Sequence, residues 1–219
     1  MSEETTTNGC LRVVAIDGPA GSGKSTVAKR LADRLGLDYL DTGAMYRAVT
    51  FAVLQRGMDP VDADDVARLA GRVDIDVDDA VTVDGVDATI EIRGPEVTRA
   101  VSAVASNSEV RRELVRRQRE WVSTHGGEAV VEGRDIGTVV FPDADLKVFF
   151  TARLDVRAGR RHREVVELDY EAVAADMARR DTVDTERRAD PLAMADGAVL
   201  VDTSDRTVEE IVDDLAARL

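Results

Sequence analysis

Two patterns of apolar residues alternate along this chain. Short, almost unbroken runs, "LRVVAID" (Leu11 to Asp17), "EAVVEGRD", "DLKVFFTA" and "GAVLVDTSD", read as strands buried on both faces. Between them, "STVAKRLADRLG" and "TVEEIVDDLAARL" repeat apolar positions at helical spacing, and Gly36 is a stop for the first of these helices. "LDYLDTG" is a further short strand, opening into the helix "AMYRAVTFAVLQRG" that ends at Gly57. Alternation of this kind predicts an α/β domain in which helices flank a parallel sheet.

Between Val73 and Ile92 the period changes. "VDIDV", "AVTVDG" and "VDATIEI" alternate apolar with polar residues, and Asp84-Gly85 is a turn signal, so a small antiparallel insert is predicted here. "EVRRELVRRQREWV" is a helix with a basic outer face, and Arg153 to Arg180 is Arg-rich and helical. With 219 residues the chain suffices for one domain with a full core, and no repeat, low-complexity tract or linker divides it.

Composition narrows the class. No apolar stretch approaches the roughly 20 residues that span a bilayer, so no membrane partner is expected. "MSEETTTNG" carries Glu3 and Glu4 in place of basic residues and lacks an apolar run, which predicts a disordered, uncleaved tail over residues 1–10. The single Cys10 favours a reducing cytoplasm. A net charge of −14 repels nucleic-acid phosphates over most of the surface, and no long apolar stripe is left over for a partner, so a monomer without nucleic acid is expected.

Against this acidic background stands "GPAGSGKS". Gly18, Gly23, Lys24 and Ser25 fill G-x-x-x-x-G-K-S between a strand and a helix, the context a phosphate-binding P-loop requires. Glycines let backbone N–H groups turn inward, the helix start adds its positive end, Lys24 bridges donor phosphates, and the Ser25 hydroxyl suits Mg2+. The ATP-binding set is then Gly18, Pro19, Ala20, Gly21, Ser22, Gly23, Lys24, Ser25 and Thr26. A Walker B Asp-Glu pair and an Asn-Lys-x-Asp guanine signature are both missing from the sequence, which argues against a motor or a GTPase.

"LDTGAMYR" opens the second helix, where Thr42 is expected to cap while Tyr46 and Arg47 project from the first turns. Together with "EGRDIGTVVFPDA" (Glu132 to Ala144), "RRDTVDTERRADPL" (Arg179 to Leu192) and the antiparallel insert, these stretches resemble the bacterial cytidylate (CMP) kinases from Val13 to the C terminus. The resemblance implies a P-loop NTPase fold over 11–219, with an NMP-binding insert at about 62–100 and a short helical lid at about 155–185. It implies transfer of the ATP γ-phosphoryl group to CMP, with dCMP as second acceptor and Mg2+ as cofactor. It assigns Thr42 and Tyr46 to the acceptor pocket and Arg47 and Arg134 to the CMP phosphate. Ser102, Arg111 and Asp135 match cytosine-reading positions, Arg180 and Asp184 the ribose, and Arg187 the space between sugar and phosphate. Arg160 and Arg161 fall in the lid, so Lys24, Arg134, Arg160 and Arg161 form the catalytic set.

A carboxylate facing the N4 amino group and a guanidinium facing N3 suit cytosine rather than uracil, and Asp135 and Arg111 have that polarity. The alternative for Asp135 is a cap on the turn that follows its strand. His125 and His162 match no motif and read as surface residues. The competing functions are a kinase for another small acceptor, such as UMP, AMP or a sugar acid, and a nucleotide switch or nucleic-acid-dependent ATPase.

Overall fold

The computed structural model describes residues 12–164 and 169–219, so the tail, Leu11 and Cys10 lie outside the described residues. In chain order the elements are β1 (Arg12–Asp17), α1 (Lys24–Leu35), β2 (Asp38–Asp41), α2 (Thr42–Gln55), α3 (Ala63–Ala70), β3 (Ile75–Asp76), β4 (Thr82–Val83) and β5 (Val86–Asp87). Then come α4 (Pro95–Ala105), α5 (Ser108–Thr124), β6 (Glu128–Gly133), β7 (Leu146–Thr151), α6 (Leu154–Glu164), α7 (Tyr170–Glu186), β8 (Val199–Asp202) and α8 (Val208–Ala216).

Five strands form one parallel sheet in the order β2-β6-β1-β7-β8. Because side chains alternate across a strand, β1 feeds two cores. Val13 and Ala15 join Ala44, Met45, Val49 and Leu114 on the face covered by α2 and α5. Val14 and Ile16 join Val27, Leu31, Ile211 and Leu215 on the face covered by α1 and α8. Burying each large aliphatic side chain contributes about 1.5–3 kcal/mol, and both faces of the sheet collect several. α8 is opened by Thr207 and Glu210 in a reciprocal capping box. Among the described residues no helix is long and apolar enough to cross a membrane.

The small antiparallel sheet, β3-β4-β5, sits between α3 and α4. Asp84 and Gly85 have φ of 49° and 76°, the left-handed pair that a two-residue hairpin turn needs between Val83 and Val86. The alternation in "VDATIEI" overstates the third strand, which ends at Asp87. The Asp87 carboxylate accepts from both the N–H and the hydroxyl of Thr89, turning the chain into a single 3-10 turn at Glu91–Arg93. The helices α3 and α4 have no counterpart in the sequence reading, and the Arg-rich stretch after Arg153 is helical as expected, in α6 and α7.

The carboxyl ends of β1, β2 and β6 bring Asp17, Asp41 and Gly133 to one end of the sheet, beside the loop that opens α1. Ligands of open α/β sheets bind outside the carboxyl ends of the strands, and the glycine-rich loop lies there.

Candidate active site

The loop after β1 delivers the N-terminus of α1 with nothing to cap it. Gly23 is the N-cap, at φ 85°, no side chain bonds the first N–H groups, and the first turn holds no acidic residue. Twelve residues of helix therefore present their positive end and free N–H groups. Gly21, at φ 70°, is packed from outside, since a Cβ there would come within 2.8 Å of Met177 Cε and 3.1 Å of the Arg157 carbonyl oxygen. Buried Lys24 donates from Nζ to the Pro19 carbonyl at 2.9 Å. Burial and then the charge of Arg134 push the Lys24 ammonium down to about 7. Ser25 and Thr26 are exposed on the first turn of α1.

Two carboxylates at strand ends flank this loop. The Asp17 carboxylate accepts the N–H groups of Ile136 and Gly137, each at 2.8 Å, and its burial raises it to about 6. That bond pair ties the end of β1 to the π-helical segment Ile136–Val140 that follows β6. Glu132, buried on β6, accepts from the Tyr39 hydroxyl and interacts with the Ser25 hydroxyl, and burial followed by the neighbouring Asp41 raises its carboxyl. Both acids had a signal in the sequence: a charged residue ending an otherwise apolar strand run.

On the acceptor side the structure corrects the cap of α2. Asp41, not Thr42, is the N-cap, accepting from the Ala44 N–H at 3.1 Å. Thr42 is already helical and buried, and its hydroxyl donates to the Glu132 carbonyl at 2.7 Å, holding α2 against β6. Arg47, further along α2, donates to the Ile92 carbonyl and the Thr98 hydroxyl at 3.1 and 3.0 Å. Burial, then Arg180, Arg161 and Arg93, lower it to about 10, so several guanidinium groups share one region. Ser102 is half-buried on α4, one turn beyond Thr98.

Deeper in, Arg111 of α5 is 1% exposed and lies over the Tyr46 ring, 5.5 Å from its centroid. Its guanidinium pairs with the Asp135 carboxylate and, through Nε, with Asp190 at 2.7 Å. Asp135 makes no side-chain cap bond. Burial raises its carboxyl while Arg111 and Arg187 pull it down. Arg187 Nη2 lies 3.6 Å from Asp135, yet it is buried without a hydrogen-bond acceptor among the described residues. Arg134, beside the end of β6, donates to Asp184 of α7 at 2.8 Å. Burial and then Arg134 lower the charge preference of Arg180, half-buried on α7.

The lid arginines separate in space. Arg160 is engaged at the loop, donating to the Thr203 carbonyl at 2.7 Å and hydroxyl at 3.0 Å and reaching the Gly21 carbonyl at 3.5 Å. Arg161 is close enough to Arg47 and Arg180 to influence both. Arg157, which sequence reasoning passed over, is buried under the loop, bonding the Ala20 carbonyl at 3.2 Å and Asp181 at 2.6 Å. His125 stacks on Trp121 with ring centroids 3.9 Å apart, and His162 meets Tyr170 edge-on.

The family model described as cytidylate kinase matches residues 14–219. The cytidylate kinase of Mycobacterium avium is 54% identical over 212 residues, covering 93% of this chain and 92% of the relative. That of Caldanaerobacter subterraneus is 47% identical over 205 residues, covering 91% of each. An uncharacterized protein from Eubacterium ventriosum of known crystal structure is similar in fold, with a TM-score of 0.54 at 12% identity, over 94% of this chain and 96% of that one.

Proposed function

The chain belongs to the cytidylate kinase family, and from that premise we propose how its residues divide the work. It is a phosphotransferase that moves the γ-phosphoryl group of ATP to CMP, giving ADP and CDP. The finer reading adds dCMP as a second acceptor and a monomeric enzyme in the cytoplasm.

The acceptor oxygen belongs to a phosphate whose second pKa is about 6, so it is already anionic near neutrality and needs no base. The obstacle is repulsion: one pair of unit charges 4 Å apart repels by about 4 kcal/mol at an effective dielectric of 20. In this reading the N–H groups opening α1 and Lys24 hold the donor phosphates. Arg47 and Arg134 hold the CMP phosphate, with Arg187 between phosphate and sugar. Asp184 and Arg180 meet the ribose, and Arg134 is aimed by its bond to Asp184. Ser102, Arg111 and Asp135 read the base, with Thr42 and Tyr46 forming the wall. Of the two lid arginines, Arg161 lies on the side of Arg47 and Arg180 and is assigned to the transferring group, while Arg160 braces the loop.

For Mg2+ the donor chemistry fits. The Ser25 hydroxyl beside the Glu132 carboxylate, with Asp41 adjacent, offers hard oxygen ligands, and no cluster of three His, Cys, Asp or Glu exists among the described residues. Such a sparse set suits an ion that keeps waters and leans on substrate phosphates. When bound it would offset negative charge on the donor phosphates.

The observation that carries the reading is the gathering of Arg180, Arg161 and Arg93 around Arg47, whose charges add to burial in lowering Arg47 to about 10. An ADP-release assay with CMP, dCMP, UMP and AMP tests it. CMP and dCMP should be turned over with kcat/KM at least about tenfold above UMP and AMP. Equal rates with all four would defeat the base assignment.

A further inference from the structure

Asp190 follows the last residue of α7 by a short turn and takes no part in the division of roles above. It has a φ of 50°, one of two non-glycine residues with positive φ among the described residues. The other, Asp84, is explained by its hairpin turn. Asp190 precedes Pro191, which disfavours helical backbone at the residue before it, although aspartate tolerates positive φ better than most residues. Strain of this kind persists where surrounding contacts over-determine it.

Those contacts are specific. The Asp190 carboxylate accepts from Arg111 Nε at 2.7 Å, and its backbone carbonyl accepts from Arg187 Nε, also at 2.7 Å. Two steps on, the Leu192 N–H donates to the Asp184 carbonyl at 2.8 Å, fastening the segment to α7. One residue therefore holds two arginines of the pocket, one through its side chain and one through its main chain. Arg111 lies over the Tyr46 ring with Nη2 on Asp135, Nε on Asp190 and Nη1 donating to the Ala105 carbonyl at 3.3 Å. A guanidinium held at all three nitrogens cannot swing, and it keeps the N–H groups left over in a fixed direction.

We propose that Asp190 is a positioning residue for the acceptor base: it sets the orientation of Arg111 from the segment that follows α7, linking base recognition to the seating of that helix. This rests on the base-reading role given to Arg111 and Asp135. Asp190 does not touch the reacting atoms, so it acts through Arg111 on acceptor affinity and selectivity rather than on the chemical step.

The decisive variant is Asp190→Gly, since glycine adopts positive φ freely and removes the carboxylate without adding strain. Kinetics with CMP, UMP and ATP are measured on the full chain, with Asp190→Asn as the conservative variant, Arg112→Ala as a surface control, and a thermal melt of each. For Asp190→Gly the KM for CMP should rise about tenfold, kcat should change less than about threefold, and the CMP-over-UMP ratio should fall, with the melting temperature held. Asp190→Asn, which keeps an acceptor oxygen, should recover most of the KM. An unchanged KM for CMP overturns the proposal. So does an equal loss toward CMP, UMP and ATP with a lowered melt, which marks a merely structural ion pair. Asp135→Asn, run alongside, separates the two levels: if it shifts the ratio and Asp190→Gly does not, only the role of Asp190 falls, whereas a parental ratio in Asp135→Asn removes the underlying base reading and this proposal with it.

Discussion

The donor loop presents backbone N–H groups and one lysine, whereas the proposed acceptor pocket presents guanidinium groups backed by carboxylates. On the donor side, charge is held by the geometry of the chain: Gly23 at φ 85° starts α1 uncapped, and Lys24 is buried against a carbonyl. On the acceptor side it is held by ion pairs, Arg134 with Asp184 and Arg111 with Asp135 and Asp190. In the proposed reading the donor arrangement needs few parts, because it meets phosphate groups alone. The proposed acceptor arrangement uses more groups because in that reading it must also distinguish a base and a sugar, with carboxylates holding the arginines in place.

Lys24→Met tests the first half of that contrast and should have the largest effect. Turnover is expected to fall by at least about a thousandfold, since the cation proposed to hold the donor phosphates is gone. The melting temperature should hold or rise, because an apolar side chain of similar length replaces a buried ammonium that its surroundings already disfavour. Thermal unfolding and steady-state rates on one preparation check both.

Asp184→Ala breaks the aimed side. Loss of the carboxylate frees Arg134 as well as the ribose contact, so kcat/KM should fall by about ten- to a hundredfold for CMP. The loss for dCMP should be smaller but not absent, because only part of the role concerns the 2′-OH. Parallel kinetics with the two acceptors measure the difference.

The lysine also gives the donor side a pH dependence of its own. In the nucleotide-free protein Lys24 titrates at about 7, and ATP phosphates beside it raise that value. Above about pH 7 binding must then recruit a proton, so ATP affinity should weaken toward tenfold per pH unit as pH rises. Calorimetry in buffers of different ionisation enthalpy should show proton uptake approaching one at alkaline pH and vanishing in Lys24→Met.

The same contrast explains what could be read in advance. The P-loop was legible because backbone geometry demands glycine at fixed spacing, and strands and helices followed from their apolar periods. Thr42 and Asp41 compete for one cap position within two residues, and only the backbone shows that Asp41 takes it. Arginine is the ambiguous residue. Arg111 and Arg112 are neighbours on α5, yet Arg111 is buried on the stripe with Leu114 and Val122, while Arg112 is exposed and pairs with Glu109. One step around a helix separates a pocket residue from a surface ion pair worth about 0.3–0.5 kcal/mol. Asp190 and Arg157 gave no signal at all, because their partners lie 79 and 137 residues away in the chain.

The claim at the centre is that the buried Arg111–Asp135 pair reads cytosine, and Asp135→Asn measures it most directly. Asn can rotate its amide to donate to the O4 of uracil, so the ratio of kcat/KM for CMP over UMP should fall by about tenfold or more, whatever the absolute rates lose from the broken ion pair. A folded Asp135→Asn enzyme that keeps the parental ratio would contradict the account.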